Sequence, residues 1–412
     1  MGGGLGILAH VSGASPGSGH PGVLYTASLV ATTASHPTLL WLNPEQVPLF
    51  RAVAKDARLD IIAAGSPDPT KSTDIAAALG APVIDNLHTA LASTNAALAI
   101  IADPGAFAAQ ASARSDTSDA DDARALHEAR ARGVRVLSLE PLPSSVLQLD
   151  EPSLTTPDEN PGIVLGQSAV SAAATSSSGA PGEWATFCPL ARLSRPVRDA
   201  AELIAQLGAV RLVAVESLAG AGQGSMGARL YDACESIVWL MGLPDRVDGA
   251  YAPPPTPQAR ARAAHVLPGE TLRGLDGDLA VNMRYADGRA ASVIASNRAG
   301  RWMRTVTLLG ENGRLRIFDD GFAWYAADGR LVDSSRQSGG NRPRGSESID
   351  SELAAPAQAI ADQITRLLDP RIPPDQPTDG LSVLATTGAA LLSARTGEGE
   401  SPATILRMAR TG

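Results

Sequence analysis

The stretch EARARGVRVLSLEPLP, residues Glu128–Pro143, contains the end of a helix, a buried strand and a carboxylate in direct succession. Its first residues are helical in character up to Gly133, and the apolar run that follows is typical of a strand buried on both faces. Glu140 and Pro141 then stand at the carboxyl end of that strand, where α/β folds bind their ligands. The stretch therefore predicts one helix–strand unit of a parallel sheet, with Glu140 as a candidate site residue.

The same alternation of helix and strand precedes this unit along the chain. Further strand candidates share a short apolar run and are separated by helical segments: TLLWLN, LDIIAAG, PVID and ALAIIAD, at residues 38–43, 59–65, 82–85 and 97–103. Strands that alternate with helices at this spacing form βαβ units and a parallel sheet. We therefore expect an α/β domain over residues 37–150, after a leader of residues 1–36 that is rich in glycine, serine and alanine.

The second half of the chain has a different pattern. Residues 151–185 are loop-like, and from residue 277 apolar residues recur at every second position, as in a strand with one buried face. The hairpin signals are three dipeptides that supply positive φ: Asp287-Gly288, Asn312-Gly313 and Asp328-Gly329. Residues 186–412 are therefore predicted to form an α+β domain with an open, mainly antiparallel sheet.

Composition narrows the classes of function. The 412 residues are 44% hydrophobic, as in ordinary globular proteins, and the formal net charge is -9. This acidic balance argues against nucleic acid or an anionic membrane as the main partner. No apolar run reaches the roughly 18 residues that span a bilayer, and the leader lacks the basic segment of a signal peptide, so the cytoplasm is the expected location. Cys188 and Cys234, far apart in apolar surroundings, are expected to be buried thiols.

Several stretches resemble a known family. They lie along most of residues 37–397 and include LDIIAAGSPDP, ALAIIADP, EARARGVRVLSLEPLP, VTLLGENGRLRI and DGLSVLATTGAALLSARTG. Together they are similar to the Gfo/Idh/MocA oxidoreductases, which include glucose-fructose oxidoreductase and inositol dehydrogenase. The resemblance implies a Rossmann-like domain that binds NAD or NADP, followed by a domain that contacts a sugar-like substrate. It also implies a homo-oligomer formed through the antiparallel sheet.

The resemblance places the cofactor contacts at positions where the family's residues are replaced. The turn that should carry GxGxxG begins here at Asn43 and has no glycine up to Phe50. The acidic residue that binds the adenosine ribose corresponds to Ser66, and the family's Thr-Pro corresponds to Asp103-Pro104. Pro141 matches the proline of the family's Glu-Lys-Pro. An alternative takes LGILAHV of the leader as the first strand, with the leader's glycines as the phosphate loop and TLLWLN as an extra strand.

The catalytic positions of the family are replaced as well. Glu140 stands where the family has the lysine of Glu-Lys-Pro, and lysine occurs only at Lys55 and Lys71, so no shifted alignment supplies one. In the family's HxxD motif, Asp232 takes the histidine position and Glu235 the aspartate position. An exposed carboxylate with a pKa of about 4 is a poor base for an alcohol. A carboxylate about 5 Å from a phosphate charge also costs about 3 kcal/mol at an effective dielectric near 20.

Two functions therefore remain open from the sequence. The favoured one is a binding, sensing or scaffold protein that keeps the oxidoreductase fold but has lost its lysine, histidine and glycine loop. The alternative is an NAD(P)-dependent dehydrogenase of a sugar or polyol with a non-standard site. Glu140, Asp232 and Glu235 would act there as acid and base, unless Asp232 and Glu235 are a solvated helix face and Glu140 is a turn residue. No metal site is assigned.

Overall fold

The computed structural model describes seven segments of the chain, residues 35–107, 118–148, 184–220, 222–254, 267–336, 349–373 and 378–411. The predicted leader lies outside the described residues except for its last two positions. The predicted connecting segment also lies outside them, except for residues 184 and 185.

The first sheet has six parallel strands. In chain order they are β1 His36–Trp41, β2 Leu59–Gly65, β3 Val83–Ile84, β4 Leu98–Ile101, β5 Arg135–Ser138 and β6 Thr186–Phe187. Their order across the sheet is β3-β2-β1-β4-β5-β6. This is the doubly wound arrangement, in which strands β1 to β3 extend to one side and strands β4 to β6 to the other, so that the strand order reverses between β1 and β4. The parallel α/β fold predicted from the alternation of strands and helices is confirmed.

Helices connect these strands, and local residues explain where they begin and end. They are α1 Val47–Asp56, α2 Pro69–Leu79, α3 Leu87–Ser93 and α4 Ser118–Ala131. The carboxylate of Asp68 caps α2 by accepting from the Thr70 N–H at 3.0 Å, and Asn86 caps α3 in the same way through Thr89. Helix α2 ends at Gly80, whose φ of +70° is a left-handed conformation that glycine adopts without strain.

The second sheet has eight strands and is mixed. They are β7 Leu212–Leu218, β8 Arg246–Ala252, β9 Asp278–Arg284, β10 Ala290–Ser296, β11 Met303–Gly310, β12 Gly313–Phe318, β13 Gly321–Ala326 and β14 Leu331–Arg336. The order is β14-β13-β12-β11-β7-β10-β9-β8, and each neighbouring pair is antiparallel except β7 with β10. The predicted open, mainly antiparallel sheet is confirmed. Each of the predicted turn glycines has a positive φ, including +86° at Gly288.

Six more helices lie in the second half of the chain, and all but one of them pack in the core of this sheet. They are α5 Arg195–Asp199, α6 Ala201–Gln206, α7 Met226–Met241, α8 Ile349–Leu368, α9 Gly380–Thr396 and α10 Pro402–Thr411, and the exception is α8. Helix α7 packs on β7 and β10, and its apolar residues Met226, Leu230, Ile237 and Met241 are buried. In the described part of the chain, none of the helices combines the length and the apolar character needed to cross a membrane.

Two segments pack with the first sheet although their sequence positions fall in the range predicted for the second domain. Strand β6 pairs with β5 at the edge of the first sheet. Helix α8 packs on α1, and Ala357, Ile360 and Ile364 are buried in the core beneath the first sheet. The chain therefore returns to the first core near its end, which a division at residue 186 does not foresee.

Candidate functional site

The turn after β1 lies at the point where the order of strands reverses. Strand β1 pairs with both β2 and β4, so TLLWLN is the first strand of the sheet and not an extra one. LGILAHV and the leader's glycines, which the alternative takes as the first strand and the phosphate loop, lie outside the described residues. The polypeptide leaves β1 through Leu42 and Asn43 into a short 3-10 turn, Pro44–Gln46, and then into α1.

Polar groups of this turn bond within the protein and join it to the loop after β4. The Asn43 N–H donates to the Gln46 side-chain oxygen at 2.9 Å, and the Gln46 amide donates to the Ala102 carbonyl at 3.1 Å. The Asn43 side-chain amide donates to the Asp103 carboxylate. Direct hydrogen bonds therefore bridge the crevice between β1 and β4, where doubly wound folds bind nucleotides.

The helix start next to this crevice is poor in anion-binding donors. Pro44 is the first residue of the 3-10 turn and Pro48 the second residue of α1, and proline has no N–H. A loop from the second sheet also lies against the turn. A Cβ added at Gly222, whose φ is +75°, would come within 2.7 Å of the Glu45 carbonyl. Only a glycine allows this close approach of the two backbones.

The loops after β2 and β4 also contact each other. A Cβ added at Gly105 would lie 2.2 Å from the Pro67 side chain, so these loops are in close contact across the end of β1. Ser66 is fully buried and its hydroxyl accepts from the Asp68 N–H at 3.3 Å. Pro104 is buried and Asp103 is half-buried, with its second oxygen accepting from the Gly105 N–H at 2.7 Å.

Glu140 lies just beyond β5 and is bound to the N-terminus of α7. Its side chain accepts from the Ser225 N–H at 2.8 Å and from the Ser225 hydroxyl. Ser225 also caps α7 by accepting from the Ala228 N–H, so the carboxylate lies at the positive end of a helix dipole. Burial raises the pKa of Glu140 to about 7, while the two Ser225 hydrogen bonds oppose that shift. Pro141, the next residue, is buried.

Asp232 and Glu235 lie on α7 and are buried, so the interpretation of a solvated helix face is wrong. Asp232 accepts from the Ala191 N–H at 2.6 Å, and its other oxygen lies 3.6 Å from Nη1 of Arg304. Glu235 pairs with Nε of Arg192 at 2.7 Å and accepts from the Thr378 hydroxyl. Burial raises the pKa of Glu235, and the Arg192 charge opposes the shift.

Arg229 is a further charged residue of this cluster, and the sequence pattern alone did not single it out. It is fully buried, and its guanidinium carbon lies 4.3 Å from the centre of the Trp302 ring, a cation–π distance. Burial lowers its pKa to about 10, while the charges of Asp232 and Glu140 raise it. One signal was available: Arg229, Asp232 and Glu235 recur at every third position of an otherwise apolar helix, which places three charges along one side.

The predicted residues therefore form two groups that meet near Glu140. Asn43 and Asp103 are joined to each other, and the negative charge of Asp103 contributes to the raised pKa of Glu140. The charges of Glu140 and Asp232 both raise the pKa of Arg229. Ser66 is not part of either group, since its hydrogen bonds go to Asp68 in the loop after β2 and to Ser72 of α2. Across the described residues, no group of three or more His, Cys, Asp and Glu side chains is arranged to hold a metal ion.

Comparison with known proteins extends these observations. No protein-family model matches the chain, and no curated protein matches it in sequence. Solved structures do match. GenD2 from gentamicin A biosynthesis, in complex with NAD, is 17% identical over 94% of this chain and 99% of its own, with a TM-score of 0.54. An oxidoreductase from Agrobacterium radiobacter, in complex with NAD+, L-tartaric acid and magnesium, is 13% identical over 90% and 100%, with a TM-score of 0.55.

A third match is the myo-inositol 2-dehydrogenase of Lactobacillus plantarum, which is 14% identical over 89% of this chain and 99% of its own, with a TM-score of 0.55. The two-domain fold is that of these oxidoreductases. They are of the Gfo/Idh/MocA type, so the fold expected from the resemblance is confirmed. At identities of 13 to 17% the similarity establishes the fold alone.

Proposed function

We propose that this chain is a binding, sensing or scaffold protein that keeps the oxidoreductase fold but does not carry out NAD-dependent oxidation. The observation that carries this proposal is the pair of side-chain bridges across the crevice between β1 and β4. Asn43 reaches Asp103 and Gln46 reaches Ala102, so protein groups occupy the route that a dinucleotide takes in this fold.

The residues that would meet NAD or NADP do not fit it. A pyrophosphate needs backbone N–H groups at a helix start, and here Pro44 and Pro48 have none while the Asn43 N–H already bonds to Gln46. The carboxylate of Asp103 adds a like charge beside the phosphates, at a cost of about 3 kcal/mol for each contact near 5 Å. A free energy of that size corresponds to a loss of roughly a hundredfold in affinity.

The family-equivalent catalytic positions are also engaged within the protein. Both oxygens of Glu140 accept from Ser225, Asp232 accepts from Ala191, and Glu235 pairs with Arg192. These bonds hold the three carboxylates in structural roles. A base for alcohol oxidation needs a free lone pair within hydrogen-bond reach of the substrate hydroxyl. The proposed roles of these residues are therefore to join the two parts of the fold.

One observation favours the alternative, a dehydrogenase of a sugar or polyol. The pKa of Glu140 is raised to about 7, which suits a general base at neutral pH. Rotation of Ser225 away from the carboxylate would free one oxygen for a substrate. The similar fold of GenD2 in complex with NAD is consistent with this alternative. The hydrogen bond between Asn43 and Asp103 across the crevice argues against it.

We also propose a ligand, a location and an oligomeric state for the protein. The proposed ligand is a sugar-like small molecule, and the proposed location is the cytoplasm. A homo-oligomer through the outer face of the second sheet is also proposed, since Ile294 on that face is 50% exposed. Sedimentation of the purified protein distinguishes a monomer from an oligomer.

A turnover assay at 340 nm tests the proposal. Wild-type protein is incubated with NAD+ or NADP+ and each of a panel of inositols, sugars and sugar acids. We expect no protein-dependent formation of reduced cofactor. The control is Glu140→Gln, which keeps the shape of the side chain but cannot accept a proton. A wild-type rate that Glu140→Gln abolishes would establish the dehydrogenase with Glu140 as its base.

A further inference from the structure

A group of buried nitrogen donors beside Glu140 lacks acceptors among the described residues. Within that part of the chain, Nε and both Nη atoms of Arg229 have no hydrogen-bond partner, and the same is true of Nε1 of Trp302. Nη1 of Arg304 lies 3.6 Å from Asp232, beyond hydrogen-bond length. The three side chains form one stack, with the Arg229 and Arg304 guanidinium carbons 4.3 and 5.1 Å from the Trp302 ring centre.

Arg229 differs from two nearby arginines, Arg192 and Arg304. Arg192 is paired with Glu235 at 2.7 Å, and Arg304 is paired with Asp319 at 3.0 Å. The carboxylates that act on Arg229 have other bonding partners: Glu140 accepts from Ser225 and Asp232 accepts from Ala191. A fully buried guanidinium without acceptors is strongly destabilising, because it has lost its water and gained no partner. Among the described residues, none of the three guanidinium nitrogens of Arg229 therefore has an acceptor.

A glycine loop covers the guanidinium. A Cβ added at Gly224 would lie 3.4 Å from Nη2 of Arg229, and the φ of Gly224 is +102°, a conformation that favours glycine. Gly222 has a φ of +75° and lies against the turn after β1, and Gly220 lies against the carbonyl of Gly300. The segment between Arg229 and the turn after β1 therefore consists of glycine backbone at these positions, without bulky side chains.

We propose that Arg229, with Trp302 and Arg304 beside it, is a subsite for the carboxylate of a small organic acid. The atoms without acceptors are all N–H donors, and two of the three side chains are positively charged, which favours an oxyanion as the ligand group. A planar carboxylate matches the guanidinium fork through two parallel hydrogen bonds. The carboxylates of Asp232 and Asp319 disfavour a dianion such as phosphate at the same place.

This inference deepens the proposed binding function by naming the charged group of its ligand, and its test contains no dinucleotide. Thermal unfolding of the wild-type protein is followed with sodium D-glucuronate, with D-glucose as the neutral match and with sodium chloride at equal ionic strength. Acetate, sulfate and phosphate are titrated in parallel. We expect glucuronate to raise the midpoint by roughly 2 to 4 °C at saturation, and glucose and chloride to leave it unchanged.

Variants assign the response to Arg229. Arg229→Met removes the unpaired charge, so it is expected to unfold at an equal or higher temperature than wild type without anion, and to lose the glucuronate response. Arg229→Lys keeps the charge but not the fork, and its affinity is expected to fall by about tenfold or more. The matched control is Arg289→Met, because Arg289 also stacks on an aromatic ring, Tyr285, but is paired with Asp287 at 2.6 Å. It is expected to respond like wild type.

Three results would overturn the inference. One is an equal effect of glucuronate and glucose on wild type, and another is an unchanged response in Arg229→Met. If Arg229→Met does not fold, the Arg229→Lys variant replaces it in this test, and an affinity for glucuronate equal to that of wild type would overturn the inference. A response to phosphate or sulfate that exceeds the response to the carboxylates would also contradict the assignment of a carboxylate. None of these outcomes bears on NADH binding, which is measured separately.

Discussion

Replacement of Glu140 by glutamine tests whether Glu140 is a buried carboxylate bonded within the protein or a carboxylate that faces an open cleft. Glutamine keeps the shape of the side chain, and its carbonyl oxygen can still accept from the Ser225 N–H, which lies 2.8 Å from the carboxylate. The amide has no charge to desolvate and no proton to exchange. The amide does not titrate, so its contact with the Ser225 hydroxyl has the same strength at every pH.

The expected effect follows from the raised pKa. Burial moves the pKa of Glu140 from its ordinary value of 4.5 to about 7, and a pKa difference of one corresponds to about 1.4 kcal/mol. Between these two pH values the folded state holds a proton that the unfolded state has released. The free energy of unfolding of wild type therefore falls as the pH rises. The loss through this group is about 3 kcal/mol in total, of which about 2 kcal/mol falls between pH 5 and pH 7.

Urea unfolding followed by tryptophan fluorescence at pH 5, 6, 7 and 8 measures this loss. The difference in unfolding free energy between Glu140→Gln and wild type should change by about 2 kcal/mol in favour of the variant from pH 5 to pH 7. Glu202→Gln is the control, because it makes the same chemical change at an exposed position of α6. A pH-independent difference for Glu140→Gln would refute the reasoning and indicate a solvated carboxylate.

Two further substitutions test the surroundings of α7 by urea unfolding. Asp232→Asn removes the charge 3.6 Å from Arg304 in a fully buried position, and should cost about 3 kcal/mol; a cost under about 1 kcal/mol would contradict the buried ion pair. Gly227→Ala should cost more than about 2 kcal/mol, because its Cβ would lie 1.8 Å from the Leu272 carbonyl. Its control, Gly388→Ala on α9, meets only a side-chain atom at 3.5 Å and should be neutral or stabilising. Equal effects at the two glycines would show that α7 does not pack so closely on Leu272.

The sequence predicted those parts of the fold that depend on neighbouring residues. Buried strands such as Leu98–Ile101 have continuous apolar runs, and the Asp287-Gly288 dipeptide marks its hairpin turn by the φ that glycine allows. The end of α2 at Gly80 follows from the same property. The start of that helix, which Asp68 caps, could not be placed from the sequence alone, because Ser72 and Thr73 are nearby residues that are also suitable caps.

The site depends on contacts between distant residues, which local patterns do not reveal. Ser225 binds Glu140 across 85 positions, and only the folded chain brings the two together. Glu235 resembles a solvated charge on its helix until Arg192 and Thr378 are placed beside it. Strand β6 has only two residues, too few for a periodic pattern, so its place on the first sheet could not be read from sequence.

Calorimetric titration of the purified protein with NADH, repeated with NADPH, tests most directly whether the crevice between β1 and β4 is closed. With Asn43 bonded to Asp103 and Gln46 to Ala102, we expect no binding heat up to about 1 mM ligand. Saturable binding with a dissociation constant in the micromolar range would contradict the closed crevice, and would make the protein a dinucleotide-binding oxidoreductase with a non-standard site.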